Sequence, residues 1–90
     1  MQIKWTKRAA ANFDSILSHI EKDNPSAAKK FILETLSKIA NLETFPLFGR
    51  PGIVPLTREL VIHENYIVYY RIKDEAIEIL RVLQVRRKYP

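Results

Sequence analysis

The stretch FPLFGRPG, residues 45–52, divides this 90-residue chain in two. It holds both of the glycines and two of the five prolines. Proline offers no amide donor to a helix interior or a central strand, and glycine weakens both, so neither helix nor sheet is expected to persist through it. Before it, apolar residues recur every three or four positions; after it, β-branched and aromatic runs are separated by short polar turns. The stretch therefore marks a switch from helices to strands.

Upstream, Ala28, Phe31, Ile32, Thr35, Ile39 and Leu42 fall on one helix face, opened by Asn24 as a cap and Pro25 in the first turn. Ahead of that break, Ala9, Phe13, Ile16, Leu17 and Ile20 define a first helix over 7–21, with Thr6 where an N-cap is wanted. Helices joined this tightly form an antiparallel hairpin. QIKW, residues 2–5, reads as a first strand. Downstream, TRELVIH (57–63), YIVYYRI (66–72) and AIEILRVLQV (76–85) read as a meander of three antiparallel strands. The expected fold is α+β: one domain over 1–90, a two-helix antiparallel hairpin packed on a small, mainly antiparallel four-stranded sheet, in the order strand-helix-helix-strand-strand-strand.

Simple alternation sorts the strands into faces. Tyr66, Val68, Tyr70 and Ile72 share one face of their strand, and Ile67, Tyr69 and Arg71 the other. In the last strand Ile77, Ile79, Arg81, Leu83 and Val85 are expected to oppose Glu78, Leu80, Val82 and Gln84. Neither face is purely polar, as in a sheet covered by helices on one side and partly enclosed, or bound by a partner, on the other.

Composition narrows the chemistry. There is no cysteine, which excludes disulfides and thiolate zinc sites. No histidine pair, acid cluster or glycine-rich loop has metal or phosphate spacing, so no cofactor or metal is expected. The apolar runs are far shorter than the roughly 20 residues that span a bilayer, and the amino terminus lacks a signal-peptide stretch, so a cytoplasmic protein with no membrane partner is expected. Fifteen basic against ten acidic residues give a net charge of +5, which favours anionic partners. Trp5, Phe13, Phe31 and Tyr70 are expected in the core. In GRPG, Gly49 is expected to turn with positive φ and Arg50 to pair with nearby groups and fix the loop. His63 and His19 read as surface polar residues.

Taken in order, a strand ending in Trp5, a hairpin turning at DNPSAA, then FPLFGRPG, TREL, YIVYYRI and IEILRVLQVRRKYP resemble the RelE/ParE superfamily of bacterial type II toxin–antitoxin toxins across essentially the whole chain, closer to ParE. The resemblance implies a small α+β toxin that arrests growth, a function also tied to plasmid stabilisation, and a co-expressed antitoxin that wraps it in an oligomeric complex. RelE-like members cut messenger RNA in the ribosomal A site; ParE-like members poison DNA gyrase.

RNA cleavage needs a group to take a proton, a group to give one, and cations on the developing phosphorane charge. Where RelE has an arginine just after the aromatic that opens the third strand, this chain has Ile67; where many ribonucleolytic relatives have a histidine in the last strand, it has Gln84. An amide does not exchange a proton near neutral pH. The resemblance thus points to a ParE-like inhibitor of DNA gyrase without catalytic residues of its own, contacting its target through Arg58, Arg81, Arg86, Arg87, Lys88 and Tyr89. The alternative is a ribosome-dependent mRNA endoribonuclease built from His63, Arg58, Arg81, Lys88 and Tyr89. On either reading the basic run from Arg86 to Tyr89 is expected to be a working end, positioned by the strand before it.

Overall fold

The structure, a computed structural model, describes residues 1–63 and 65–85. Strand β1 (Gln2–Trp5) leads into helices α1 (Lys7–Asp23) and α2 (Pro25–Asn41). Strands β2 (Arg50–Pro51), β3 (Arg58–His63), β4 (Tyr66–Lys73) and β5 (Ala76–Gln84) follow. The sheet order is β1-β5-β4-β3-β2, with β1 parallel to β5 and the other pairs antiparallel. The expected α+β architecture is present, with one strand more than the four anticipated.

The helices begin where the sequence supplies caps. Thr6 Oγ1 accepts the Ala9 amide at 3.1 Å and donates to Ile79 O at 2.8 Å, so the cap also pins the start of α1 to β5. Asn24 serves both helices: its amide donates to Ile20 O at 2.9 Å and its side chain accepts from Ala27 N at 3.1 Å. One residue closing one helix and opening the next forces a tight hairpin. The apolar faces then meet the sheet over a chain of aromatic contacts, Trp5 to Phe13 to Phe31 to Tyr66, with ring centroids 5.4, 5.9 and 4.7 Å apart. Phe31 and Tyr70 are buried, and Trp5 and Phe13 pack partly buried against the same core.

The added strand lies inside the stretch expected to exclude strands. Arg50 and Pro51 pair with Glu59 and Arg58 of β3. A proline is tolerated there because β2 is the sheet's outer strand, where a missing donor leaves no central ladder broken. Arg50 fixes the pairing as expected, its Nε donating to Glu59 Oε1 at 2.9 Å.

Gly49 acts differently from the expectation. No glycine has a positive φ. The need is for space: a Cβ on Gly49 would lie 2.7 Å from the Tyr70 ring and hydroxyl and 2.9 Å from Glu59 O. Tyr70 fills that space and uses it, since its hydroxyl accepts the Gly49 amide at 2.9 Å and donates to Pro46 O at 2.7 Å. Positive φ falls instead on Leu56, Asp74 and Glu75. The last two make the two-residue turn between β4 and β5, whose geometry requires it at both positions.

Strict alternation also fails in β5. Tyr70 pairs with Ile79 but Tyr69 pairs with Arg81, leaving Leu80 as the extra residue of a β-bulge. Past it the faces exchange. Val82 and Gln84 join Ile77 and Ile79 on the helix side, while Arg81 and Leu83 join Glu78 on the open side.

Two stability predictions follow from these contacts. Gly49→Ala is expected to lower stability by about 1–3 kcal/mol through overpacking, and Tyr70→Phe by about 1–3 kcal/mol because it orphans a buried amide and carbonyl; denaturant melts of both variants against the parent check this. On the open face, Arg71 Nε donates to Glu78 Oε1 at 2.5 Å, and this hydrogen bond, aided by Lys73 and Lys4, holds the Glu78 carboxyl below the usual carboxylate range. A carboxylate with a lowered folded-state pKa contributes stability above its unfolded value, and that contribution disappears as pH falls through the folded value. Glu78→Gln should therefore shallow the loss of melting temperature between neutral pH and about pH 3, by a small amount because the pair is solvent-screened.

Candidate functional site

The helices cover one face of the sheet, and Glu59, Arg71, Glu78 and Arg81 lie on the other. Cross-strand pairing sets Glu59 beside Tyr69 and Tyr69 beside Arg81, one residue from each of three neighbouring strands. Residues 52–57 fold over the end of this row. Gly52 N donates to Thr57 O at 2.8 Å and Thr57 Oγ1 to Val54 O at 2.6 Å, closing a small loop. Here too glycine is required for space, since a Cβ on Gly52 would stand 2.4 Å from Thr57 Oγ1. The loop holds Leu56 at φ 66, and it leaves Ile53 96% and Leu56 92% exposed. A bulky residue in the left-handed region with its side chain in water is costly twice over.

Between loop and sheet lies a hollow of about 440 Å³, lined by Ile53, Val54, Thr57 and Leu83 around Tyr69, Glu59, Leu80 and Arg81. The two charges in it differ in state. Glu59 is 8% exposed and its carboxylate is held by Arg50. Arg81 Nε is buried and has no hydrogen-bond partner among the described residues. A buried N–H without an acceptor is unfavourable, more so on a charged group. The hollow is therefore lined by a cation whose Nε is unpaired and whose outer guanidinium nitrogens make no hydrogen bond among the described residues, within largely apolar walls, which suits a ligand with an anionic or carbonyl acceptor on an apolar body.

The other candidate residues are dispersed. Arg58 is half-buried, and its Nη1 donates to Gly49 O at 2.7 Å and Leu47 O at 3.3 Å, so it braces the 45–49 loop. It also stands beside the Tyr70 phenol, whose pKa burial raises while the Gly49 amide and the Arg58 charge pull it back. His63 ends β3 on the helix side, its ring edge-on to Phe31 and Tyr66 at 5.7 and 5.2 Å. There it lines a separate hollow with Ile20, Lys30 and Glu34. Arg81 and His63 thus lie on opposite faces of the sheet. Ile67 is buried at 7% exposure, and Gln84 is exposed at the end of β5, across from Tyr66. Arg86, Arg87, Lys88 and Tyr89 lie outside the described residues. Val85, which precedes them, donates its amide to Asn65 O in the β3–β4 turn at 2.6 Å.

Sequence reasoning did not single out Ile53, Val54, Leu56 or Tyr69. The signal for the loop was present: IVPL places four apolar residues in a segment that glycine and proline keep out of helix and sheet. A second apolar surface lies on the outer side of α2 and the loop after it, where Leu33 and Phe48 stand largely exposed. Among the described residues, no helix is long and apolar enough to cross a membrane, and no three histidine, cysteine, aspartate or glutamate side chains gather as metal ligands would.

Comparison with known proteins places this geometry in a family. The model of the ParE toxin of type II toxin–antitoxin systems matches residues 3–89. The candidate toxin Y4kP of Sinorhizobium fredii is 39% identical over 90 residues, covering 99% of this chain and 93% of that protein. Toxin RelE2 of Caulobacter vibrioides is 31% identical over 86 residues, covering 96% and 97%. Among solved structures, a chain of the chromosomal ParDE system from P. aeruginosa superposes with a TM-score of 0.84 at 31% identity, covering 96% of this chain and 97% of that one. With the family model spanning residues 3–89 and relatives matched over nearly the whole chain in sequence and in fold, the chain belongs to the ParE toxin family of type II toxin–antitoxin systems, within the RelE/ParE superfamily.

Proposed function

We propose that this chain is a ParE-like toxin that arrests bacterial growth by holding DNA gyrase in its DNA-cleaved state, and that an antitoxin encoded with it neutralises it in the cytoplasm. One observation carries the choice of target. Three of the groups from which a nuclease would be assembled do not meet: His63 packs on aromatic rings on the helix side, Arg58 is engaged by loop carbonyls, and Arg81 faces the opposite side, while Lys88 and Tyr89 lie outside the described residues. General acid–base catalysis needs donor and acceptor within hydrogen-bond reach of one substrate, directly or through one water. A protein that traps another enzyme's intermediate needs only a complementary surface. The likeness to a ParDE chain supports the same reading.

The ribonuclease alternative keeps one specific support, the 31% identity to a protein named RelE2. The two separate cleanly in vitro. Incubation of the toxin with gyrase, ATP and supercoiled plasmid, followed by detergent and protease, is expected to yield linear DNA in a dose-dependent manner. No trapped cleavage, together with toxin-dependent cuts in the A site of translating ribosomes, would instead make the chain an endoribonuclease.

The basic run supplies a second test. The Val85 amide is tied to the β3–β4 turn, which fixes the end of β5, and this reading assigns target contact to Arg86, Arg87, Lys88 and Tyr89 beyond it. A chain ending at Val85 retains every described strand and helix. It is expected to melt near the parent temperature and to bind antitoxin, yet to leave growth unaffected when expressed. Growth arrest undiminished by the truncation would remove the run from the target surface.

A further inference from the structure

We infer that the hollow between the 52–57 loop and the open sheet face is the anchor site for an acidic residue of the antitoxin, set between apolar neighbours in an extended segment. The inference rests on the proposal that this toxin has such a partner, and it names where and by what chemistry that partner is held.

Three observations fix the occupant's character. The first is charge. Within the hollow Glu59 is neutralised by Arg50, while Arg81 keeps a buried Nε with no acceptor among the described residues. The outer nitrogens of its guanidinium are neither buried nor hydrogen-bonded among the described residues, so an incoming carboxylate can pair with them in surroundings where a charge-assisted hydrogen bond is strong. The second is the wall. Ile53 and Val54 are 96% and 63% exposed at the rim, and Leu83 and Leu80 continue the apolar lining inside. Phosphate and sugar would leave those side chains in water, whereas a peptide with apolar residues on either side of its acid covers them; this favours protein over nucleic acid. The third is size and access. About 440 Å³ open on one side admits one or two side chains and not a folded element, which selects an extended segment.

The free toxin therefore carries a cation with one buried N–H unpaired and its outer nitrogens open to a ligand. On this reading the charge costs the free chain stability and is put to use only in the complex. This gives a signature that a merely structural arginine would not show. Replacing it with an apolar residue of similar length should leave the free toxin as stable or more so, while binding weakens.

The test uses the full chain and the antitoxin encoded beside it, purified from co-expression, separated and recombined. For wild-type toxin, Arg81→Met, Arg81→Lys and the double variant Ile53→Ser/Val54→Ser, the melting temperature of free toxin and the dissociation constant for antitoxin are measured. Arg81→Met is expected to melt at or above the wild-type temperature and to bind at least tenfold more weakly. Arg81→Lys should fall between, since an ammonium keeps the charge but lacks the paired outer donors of the planar guanidinium. The double serine variant changes only exposed positions, so it should fold normally and also lose at least tenfold in affinity. Unchanged affinity in Arg81→Met and in the serine variant would overturn the anchor while leaving the toxin–antitoxin reading in place. A marked loss of stability in Arg81→Met with unchanged affinity in the serine variant would likewise overturn it, making the arginine structural. Failure of the wild-type toxin to bind would remove the underlying reading, and the anchor with it.

Discussion

The one-residue bulge at Leu80 sets what the open face of this protein can present. Without it, alternation along β5 would send Arg81 and Leu83 toward the helices and Val82 toward solvent. A bulge breaks the ladder locally, and the groups it frees need partners. Helix α1 provides them: Thr6 Oγ1 lies 2.8 Å from Ile79 O and 3.3 Å from Leu80 O, and Asn12 Oδ1 accepts the Val82 amide at 3.2 Å. The beginning of a helix on one side of the sheet thus determines which cation stands on the other. The site's chemistry is a product of how the layers are joined.

A second constraint works on the edge. Tyr70 reaches from the middle of the sheet into the 45–49 loop, where its hydroxyl bridges Pro46 O and Gly49 N and its ring takes the place of a glycine side chain. Arg58 adds two hydrogen bonds to carbonyls of the same loop, and Arg50 ties the next residue to Glu59. Together these hold the helix-to-sheet crossing still and allow the short β2 to form. Glu59 is drawn into this bracing, which explains why the acid nearest Arg81 in the hollow does not neutralise it.

Much of the fold was legible because it is written in local signals. The caps at Thr6 and Asn24, the apolar spacing of both helices and the turn residues after β3 and β4 each specify structure within a few residues of themselves. What escaped the sequence is non-local. A bulge depends on whether a helix side chain sits where the freed amide points, and Asn12 gives no hint of that role in a helical pattern. The requirement for Gly49 was visible as a glycine, but its cause lies in Tyr70, far along the chain. Of the site, the sequence named Arg81 as a cation that meets a target only through the family resemblance, and the structure sets it in a half-enclosed hollow. Tyr69 looked like any strand aromatic, because nothing local shows that a loop will fold toward it.

The parallel pairing of β1 with β5 has a consequence for the timing of folding. Gln2–Trp5 are made before both helices, yet their hydrogen-bonding partners are Ala76 to Ile79, and Thr6 waits for the same strand. Contacts between segments so far apart in sequence form late and slowly. On the ribosome, the helical hairpin can assemble while the first strand and its cap remain unpartnered, and the sheet closes only once β5 has been made. The open face, with Arg81 turned outward by the bulge, comes into being only when β5 joins the sheet, so the side of the protein opposite the helices is the last part of this fold to take shape.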